Sequence, residues 1–244
     1  MPTGVQELSG TKPTEIPTIN MKNHCKLSVL LPVALLAITQ AAHGAEPTPT
    51  ASAVLEKLKA GNIRYLSGKS AVPRIDVERR ESTAKGQRPL ATILGCSDSR
   101  VPPEIVFDQK FGNLFVIRVA GNVTGTSEVA SAEYGTQYLG TPLVVVLGHS
   151  ACGAVQAAVE KTPLDGKLPK LVELISPAVD NAKKSHPKAS GAELMEAAVE
   201  ANVRHQIAEL SKSDVIKKVI DSKKVMVVGA VRDIQSGKVR WLSP

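Results

Sequence analysis

The stretch LATILGCSDSR, residues 90–100, predicts both the kind of sheet and the kind of site that this chain forms. Its first part, 90–94, is a short and mostly apolar run that ends at Gly95, which is typical of a strand buried on both faces. Polar and charged side chains follow at once, in the order CSDSR. The stretch LVVVLGHSAC, residues 143–152, repeats this order of apolar run, glycine and reactive side chains. Two buried strands that end in this way indicate a site built on one edge of a sheet.

Further apolar runs alternate with helical patterns along the rest of the chain. Strands are predicted at 90–94, 114–119, 143–147, 224–228 and 239–242. Helices are predicted at 51–66, 127–139, 152–161, 168–184, 190–210 and 214–222. Strands that alternate with helices and are apolar along their length indicate an α/β fold with a mostly parallel central β-sheet flanked by helices.

Three residues of the two stretches form a candidate zinc site. Ligand sites in open α/β sheets lie at the carboxyl ends of strands, so Cys96 and His149 can meet although 53 positions separate them. Cys152 stands three positions after His149 and can turn toward the same ion. Thiolates and a neutral imidazole are ligands that zinc accepts, and a catalytic zinc keeps a fourth position open. A disulfide between Cys96 and Cys152 is the alternative in an oxidising compartment, but the metal-competent neighbours of each cysteine favour zinc.

Asp98 has two alternative roles beside such an ion. It could bind the metal as a fourth ligand and close the site, or it could stay off the metal and accept a hydrogen bond from zinc-bound hydroxide. Arg100 can hold the carboxylate with two hydrogen bonds, which favours a charged and oriented acceptor. Zinc lowers the pKa of bound water to about 7, so this acceptor would orient a nucleophile near neutral pH. A structural site would have little use for Arg100, and an open catalytic site is therefore favoured.

The N-terminal part of the sequence is interpreted as targeting rather than fold. Residues 21–44 have the pattern of a secretory signal peptide, with two lysines, an apolar segment and small residues at the cleavage site. A membrane anchor is the alternative, but about 12 apolar residues fall short of the roughly 20 that span a bilayer. Residues 1–20 are interpreted as a leader or a misassigned start, 45–50 as a linker and 51–244 as one domain. The expected location is the periplasm, with no stable membrane span after signal cleavage.

The charge pattern argues against a nucleic-acid partner. The net charge is +7, but the basic dipeptides are scattered among acidic residues and no Lys/Arg-rich run has aromatic residues within it. Solvated surface charge is the better interpretation. Of the three cysteines, Cys25 lies in the predicted signal peptide, so the mature chain keeps the two at the candidate zinc site.

In these motifs the chain resembles the β-class carbonic anhydrases. The resemblance runs from about residue 51 to 242. It rests on CSDSR and GHSACGA, and it is supported by RVAGN at 118–122, Glu133-Tyr134 and DIQSG at 233–237. It implies that one Zn2+ per subunit is bound by Cys96, His149 and Cys152. It also implies that Asp98 and Arg100 form a catalytic dyad, and that the reaction is the reversible hydration of CO2 to bicarbonate and a proton.

The resemblance also implies a substrate pocket and an assembly. Members with a plant-like, open active site have residues that correspond to Gln87, Phe115 and Tyr134, of which the first would bind bicarbonate and the other two would wall the CO2 pocket. In this family the pocket forms across a dimer interface, so a homodimer or a dimer of dimers is expected, with the helix at 51–66 as an N-terminal helical arm around the partner. A second family type has a tryptophan where this chain has Ile93, so no bicarbonate-driven closure is expected.

Two rival functions remain open at the level of sequence. A related hydrolase could attack carbonyl sulfide or carbon disulfide with the same zinc hydroxide, and only pocket size and access would differ. A non-catalytic zinc or redox-responsive binding protein could instead keep Asp98 on the metal permanently. Gln87 argues against the first and Arg100 against the second. The residues Val119 and Arg232 depart from the usual family pattern, though neither belongs to the metal motifs.

Overall fold

The computed structural model describes residues 48–70 and 77–243, which belong to one unit that spans 46–244. The predicted leader at 1–20, the predicted signal peptide at 21–44 and half of the linker lie outside the described residues. The α-helices are α1 Ala51–Leu66, α2 Val77–Thr83, α3 Pro103–Val106, α4 Thr126–Glu133, α5 Gly153–Glu160, α6 Leu168–Glu173, α7 Ser176–Ser185, α8 Gly191–Leu210 and α9 Asp214–Asp221. Within the described ranges, no helix has the length and apolar character that crossing a membrane requires.

Five strands form one sheet in the described part of the chain. They are β1 Ala91–Gly95, β2 Leu114–Arg118, β3 Leu143–His149, β4 Met226–Arg232 and β5 Val239–Trp241. Their order is β2-β1-β3-β4-β5, and β5 runs antiparallel to β4 while the other neighbours are parallel. The predicted α/β fold with a mostly parallel central sheet flanked by helices is confirmed.

The sheet separates two apolar cores, because its central strand β3 is buried on both faces. All residues of β3 are buried, and they alternate between the cores. Val144 and Val146 belong to the core that α5, α7 and α8 cover, whereas Val145 and Leu147 belong to the core that α1 and α3 cover. A parallel strand covered on both faces requires apolar side chains at successive positions. This requirement explains the continuous apolar run in the sequence.

One predicted helix is interrupted. The helix predicted at 168–184 is wrong as a single element, because α6 ends at Glu173 and α7 begins at Ser176. Pro177 lies in the first turn of α7, where the missing N–H of proline is tolerated. Inside a continuous helix the same residue would remove a hydrogen bond and clash with the preceding turn. The short helices α2 and α3 are not among the sequence predictions.

The helix predicted at 127–139 changes type in its second half. Helix α4 ends at Glu133, and the chain continues as a π-helical turn over Tyr134–Tyr138. Gly135 lies in this turn against β1, where an added Cβ would be 2.3 Å from Thr92 Oγ1. The turn therefore brings the backbone closer to the sheet than a side chain would allow.

The carboxyl ends of β1 and β3 meet at the point where the strand order switches. From β1 the chain continues to β2 on one side, and it then returns to form β3 on the other side of β1. Gly95 of β1 is in register with Leu147 of β3, so the residues that follow these two positions come together. Such switch points are where open α/β sheets hold their ligands, as the sequence predicted for the two motifs.

Helix α1 has the predicted bounds, and it lies on the sheet face that also contacts α3. The Thr50 side chain accepts a hydrogen bond from the Ala53 amide, which caps the helix N-terminus. Val54 and Leu58 are buried in the core beneath the helix. One turn later Gly61 contacts the Phe107 backbone so closely that an added Cβ would be 1.8 Å from the Phe107 carbonyl oxygen. No side chain fits at this crossing.

We therefore expect Gly61→Ala to destabilise the protein, although alanine is the better helix former by about 1 kcal/mol. The added methyl group must push α1 away from the sheet, which costs roughly 1–3 kcal/mol or more. Urea unfolding of the full chain measures the difference. The exposed Lys57→Ala on the same helix is the control and is expected to change stability by less than about 0.5 kcal/mol. A Gly61→Ala protein as stable as the parent would contradict the close packing of α1.

Candidate metal centre

Three potential metal ligands converge where β1 and β3 end. Cys96 follows β1, His149 is the last residue of β3, and Cys152 directly precedes α5. These residues are 4%, 1% and 2% exposed, respectively. The sulfur and imidazole nitrogen atoms that could bind a metal all lie within 4.8 Å of one another. The structure thus brings together the three residues that the sequence singled out as zinc ligands.

The imidazole of His149 has its tautomer fixed by the backbone. Nδ1 lies 2.9 Å from the Ser150 carbonyl oxygen. A carbonyl oxygen can only accept, so Nδ1 carries the proton and donates it. Nε2 is therefore a bare acceptor, and this buried atom has no hydrogen-bond partner among the described residues. Leaving a buried nitrogen unsatisfied costs free energy, and a metal ion bound at Nε2 would remove that cost.

The two thiols differ in how easily they ionise. The hydrogen bond with Cys152 is the largest cause that lowers the pKa of Cys96 to about 4, and the backbone amides of Asp98 and Gly121 act in the same direction. These amides donate to Cys96 Sγ over 3.4 Å and 3.3 Å. The adjacent Cys96 and burial raise the pKa of Cys152 well above its usual range. Both cysteines are free rather than joined in a disulfide.

Asp98 is paired with Arg100 at the edge of this group. Oδ1 accepts hydrogen bonds from the Arg100 backbone amide and from Nε, both at 2.9 Å, and Oδ2 accepts one from Nη2 at 2.7 Å. The guanidinium holds the pKa of the Asp98 carboxyl well below its usual range. Asp98 Oδ2 lies 3.9 Å from His149 Nε2. The carboxylate is thus adjacent to the group of three ligands but is bound to Arg100 through both of its oxygens.

The donor set fits a zinc ion. Two cysteine sulfurs and one histidine nitrogen form a known ligand set of zinc sites that keep a fourth position for water. Zinc–sulfur bonds of about 2.3 Å place two tetrahedral ligands roughly 3.8 Å apart, which agrees with three ligand atoms that lie within 4.8 Å of one another. A dication would also allow Cys152 to ionise beside Cys96, since a coordinated thiol is deprotonated.

The fold and this site both have counterparts among known proteins. The family model described as carbonic anhydrase matches residues 91–239, which include all three candidate ligands. The crystal structure of the β-carbonic anhydrase CafA of Aspergillus fumigatus superposes with a TM-score of 0.65 at 27% identity, and the match covers 79% of this chain and 90% of that one. The chain belongs to the β-carbonic anhydrases.

Curated bacterial carbonic anhydrases resemble the chain over most of its length. Carbonic anhydrase 2 of Mycobacterium tuberculosis is 35% identical over 198 residues, which cover 79% of this chain and 93% of that protein. The carbonic anhydrase of Mycolicibacterium smegmatis is 34% identical over 203 residues, which cover 81% of this chain and 96% of that protein. Family membership makes the chain a carbonic anhydrase.

Two of the predicted substrate-pocket residues of this carbonic anhydrase, Gln87 and Phe115, lie away from the metal ligands of the same subunit. Phe115 is in register with Thr92, three residues before the end of β1, and thus about 10 Å from the carboxyl edge at 3.3 Å per residue. Its ring lies 5.9 Å from that of Tyr134. Gln87 is exposed on the loop before β1, beside a cavity of about 480 Å3 that no metal-centre residue lines. The roles given to these three residues remain predictions.

Arg118 is a contributor to the carbonic anhydrase site that the sequence analysis quoted in a motif without a role. Its Nε donates to the Cys96 carbonyl oxygen at 3.0 Å, and its Nη2 donates to the Asp98 carbonyl oxygen at 2.6 Å. One guanidinium therefore fixes the backbone on both sides of Ser97. The RVAGN motif was the available signal, because its arginine is the last residue of β2, the neighbour of β1 in the sheet.

The loop between His149 and Cys152 is held from β4. The Ser150 amide donates to the Arg232 carbonyl oxygen at 2.9 Å. The Ser150 hydroxyl donates to Asp233 Oδ2 at 3.1 Å and accepts from the Ile234 amide at 2.9 Å. Ala151 has a positive φ of 53°, which is unfavourable for a residue with a Cβ. These contacts hold the tight turn that returns Cys152 toward His149.

Proposed function

We propose that this carbonic anhydrase hydrates CO2 reversibly at a zinc ion held by Cys96, His149 and Cys152, with Asp98 and Arg100 orienting the attacking water. The observation that carries the proposal is the convergence of the three buried ligand atoms, one of which is an imidazole nitrogen without a hydrogen-bond partner in the described chain. A site of this kind has no evident structural purpose at the edge of a sheet whose two cores are already apolar.

The protein groups around the three ligands would prepare a bound zinc ion for this reaction. When bound, zinc lowers the pKa of a coordinated water to about 7 and so supplies a nucleophile near neutral pH. His149 presents Nε2 because the Ser150 carbonyl oxygen keeps the proton on Nδ1. The amides of Asp98 and Gly121 direct their N–H groups at Cys96 Sγ, which orients this ligand before the metal arrives.

Asp98 orients the attacking water through its charge. A carboxylate can only accept hydrogen bonds, so a water beside Oδ2 must point its hydrogen at Asp98 and leave a lone pair free for the carbon of CO2. Arg100 keeps the carboxylate charged and fixes its plane through two side-chain hydrogen bonds. As the new C–O bond forms, one electron pair of CO2 moves to its oxygen, and the proton of the water leaves to buffer. The products are bicarbonate and a proton.

The aromatic pocket is proposed to be completed by a second copy of the chain. Phe115 and Tyr134 contact each other, and Phe115 is level with Thr92, three residues before the carboxyl end of β1. Tyr134 and Tyr138 stack with their rings 5.6 Å apart and are 46% and 73% exposed. The apolar residues Ile63 and Leu66 at the end of α1 are also 66% and 42% exposed. These exposed side chains support a homodimer or a dimer of dimers in which α1 contacts the partner and Gln87 reaches the partner's bicarbonate.

If two copies share the pocket, the specific activity is expected to fall when the protein is diluted below the dissociation constant of the dimer. Each monomer keeps its ligand residues but loses the residues that wall the substrate site. Sedimentation velocity and CO2 hydration rates over the same series of protein concentrations test this dependence. A fully active monomer would contradict the shared pocket.

Export to the periplasm is proposed from the sequence of residues 21–44. Its two lysines, apolar segment and small residues at the end fit a signal peptide that is removed on secretion. Separation of a bacterial host expressing the full chain into periplasm and cytoplasm, with N-terminal sequencing of the product, tests the proposal. A product that stays in the cytoplasm with residues 21–44 attached would overturn it.

The pH dependence of CO2 hydration tests the proposed open site. Stopped-flow measurements on zinc-quantified protein are expected to show rapid turnover near pH 7, because zinc makes the nucleophile available there. Activity that begins only above about pH 8 would mean that Asp98 occupies the fourth position of the metal at lower pH. Absence of hydration at any pH with zinc fully bound would contradict the proposed function.

A further inference from the structure

Two amide side chains lie deep in the apolar core beside the metal centre. Asn202 and Gln206 are 1% and 0% exposed, and they are one turn apart on the same face of α8. Their neighbours in this core include Val199, Val203 and Ile175. Burying an amide among apolar side chains is unfavourable unless its hydrogen bonds are made. The contacts of these two residues show which part of the molecule they serve.

The hydrogen bonds of the two amides converge on the loop that follows β2. Gln206 Oε1 accepts from both the amide and the hydroxyl of Thr124, at 2.8 Å and 2.6 Å. Gln206 Nε2 donates to Asn202 Oδ1 and to the Leu174 carbonyl oxygen, both at 2.9 Å. Asn202 Nδ2 in turn donates to the Gly121 carbonyl oxygen at 2.9 Å. Helix α8 therefore holds the loop at two points, Gly121 and Thr124.

Gly121 connects this network to the metal centre. Its amide donates to Cys96 Sγ at 3.3 Å, while its carbonyl oxygen is held by Asn202. Its φ of 71° is readily adopted only by glycine, and an added Cβ would lie 2.6 Å from Ile175 Cδ1. The residue is thus enclosed, and the direction of its N–H bond depends on what holds the loop.

We propose that Asn202 and Gln206 are positioning residues for the metal centre: they fix the loop so that the Gly121 amide donates to Cys96 Sγ and limits the electron density that this sulfur gives to the ion. Hydrogen bonds to thiolate ligands tune the electronic properties of the metal they bind. A sulfur that donates less leaves the ion a stronger Lewis acid. The inference rests on the proposed function, because it takes Cys96 to be a zinc ligand.

A purely structural role predicts a different set of effects. If the two amides only satisfy each other in the core, their replacement lowers stability and leaves the bound metal unchanged. The positioning role predicts a change at the metal itself. The change would pass through Gly121, which Asn202 contacts although 81 positions separate the two residues along the chain. The two cases are separated by a spectroscopic signal from the sulfur–metal bond.

The experiment uses the full chain with cobalt(II) in place of zinc. Asn202→Leu keeps the branching and the number of side-chain heavy atoms and removes the donor to Gly121. Gln206→Met is the second variant in case the first does not fold. Leu210→Ala, on the same helix and fully buried, is the control, because it opens a cavity and removes none of the hydrogen bonds to Gly121 and Thr124. For each protein the absorption spectrum of the cobalt form gives the wavelength of the thiolate-to-cobalt charge-transfer band. CO2 hydration by the zinc form, measured over a range of pH, gives the pH midpoint of kcat/KM, and thermal unfolding gives the melting temperature.

Asn202→Leu is expected to bind metal, to shift the charge-transfer band to longer wavelength and to raise the pH midpoint by roughly half a unit to one unit, since the sulfur donates more strongly. Leu210→Ala is expected to lower the melting temperature with neither change. A band and a midpoint that stay unmoved in both amide variants would overturn the inference. Absence of the band in the parent protein would instead overturn Cys96 as a ligand, and with it the proposed function.

Discussion

Replacing Asp98 with asparagine is expected to lower kcat/KM for CO2 hydration by about 10²- to 10⁴-fold, the range typical of a lost proton-directing group. Asparagine has nearly the same shape, but its amide nitrogen donates hydrogen bonds and its charge is gone. It can no longer require the attacking water to point a hydrogen toward it. It also loses the ion pair in which Arg100 Nη2 contacts Oδ2 at 2.7 Å. Stopped-flow hydration with a pH indicator measures the loss.

Zinc content decides how that loss is interpreted. The three candidate ligand atoms do not include an oxygen of Asp98, so Asp98→Asn is expected to keep its zinc. Ser99→Ala is the matched control, because Ser99 is the exposed neighbour of Asp98 in the same loop and is expected to retain full activity. Full activity in Asp98→Asn would show that the dyad is not catalytic. Loss of zinc together with activity would identify Asp98 as a metal ligand instead.

The sheet and the ligand group could be predicted because their signals are local. An apolar run that ends at a glycine indicates a buried strand whichever strands lie beside it, and in both cases the reactive residues follow directly. The only further step was that parallel strands bring their carboxyl ends to one edge. Cys96 and His149 therefore met as expected, although nothing in the sequence fixes the distance between them.

The parts that could not be predicted depend on contacts between distant segments. Asn202 and Gln206 occur in a long helical pattern, where two polar residues suggest a solvated face, and the loop that they hold lies more than 80 residues earlier. Phe115 and Tyr134 look like core residues in sequence, but in the structure Phe115 is only half-buried and Tyr134 is 46% exposed, and their rings pack on each other. Pro177 is a different case, because its signal was local and a break in the helix at 168–184 should have been predicted from it.

Replacing His149 with alanine is expected to abolish zinc binding and with it nearly all CO2 hydration. His149 supplies the only nitrogen of the three-ligand group in the described chain, and its Nε2 has no hydrogen-bond partner there. Two thiols alone leave the ion without the third protein ligand that catalytic zinc sites have. Metal analysis of the purified protein measures this loss. His186→Ala is the matched control, because His186 is exposed at the end of α7, and it is expected to keep both zinc and activity.

Melting temperature distinguishes a lost ligand from a damaged fold. In the parent protein, removal of zinc by a chelator is expected to lower the melting temperature, because a ligand present at about 1,000 times its dissociation constant stabilises the native state by roughly 4 kcal/mol. In His149→Ala the melting temperature is expected to be the same with zinc and with chelator, since the native state no longer binds the ion. A His149→Ala protein that zinc still stabilises as strongly as the parent would show that the metal is bound elsewhere. The variant removes a buried nitrogen that lacks a partner in the metal-free chain, but it also loses the packing of the ring and the hydrogen bond from Nδ1 to the Ser150 carbonyl oxygen. Relative to the metal-free parent, its stability is therefore expected to fall by no more than these two losses explain.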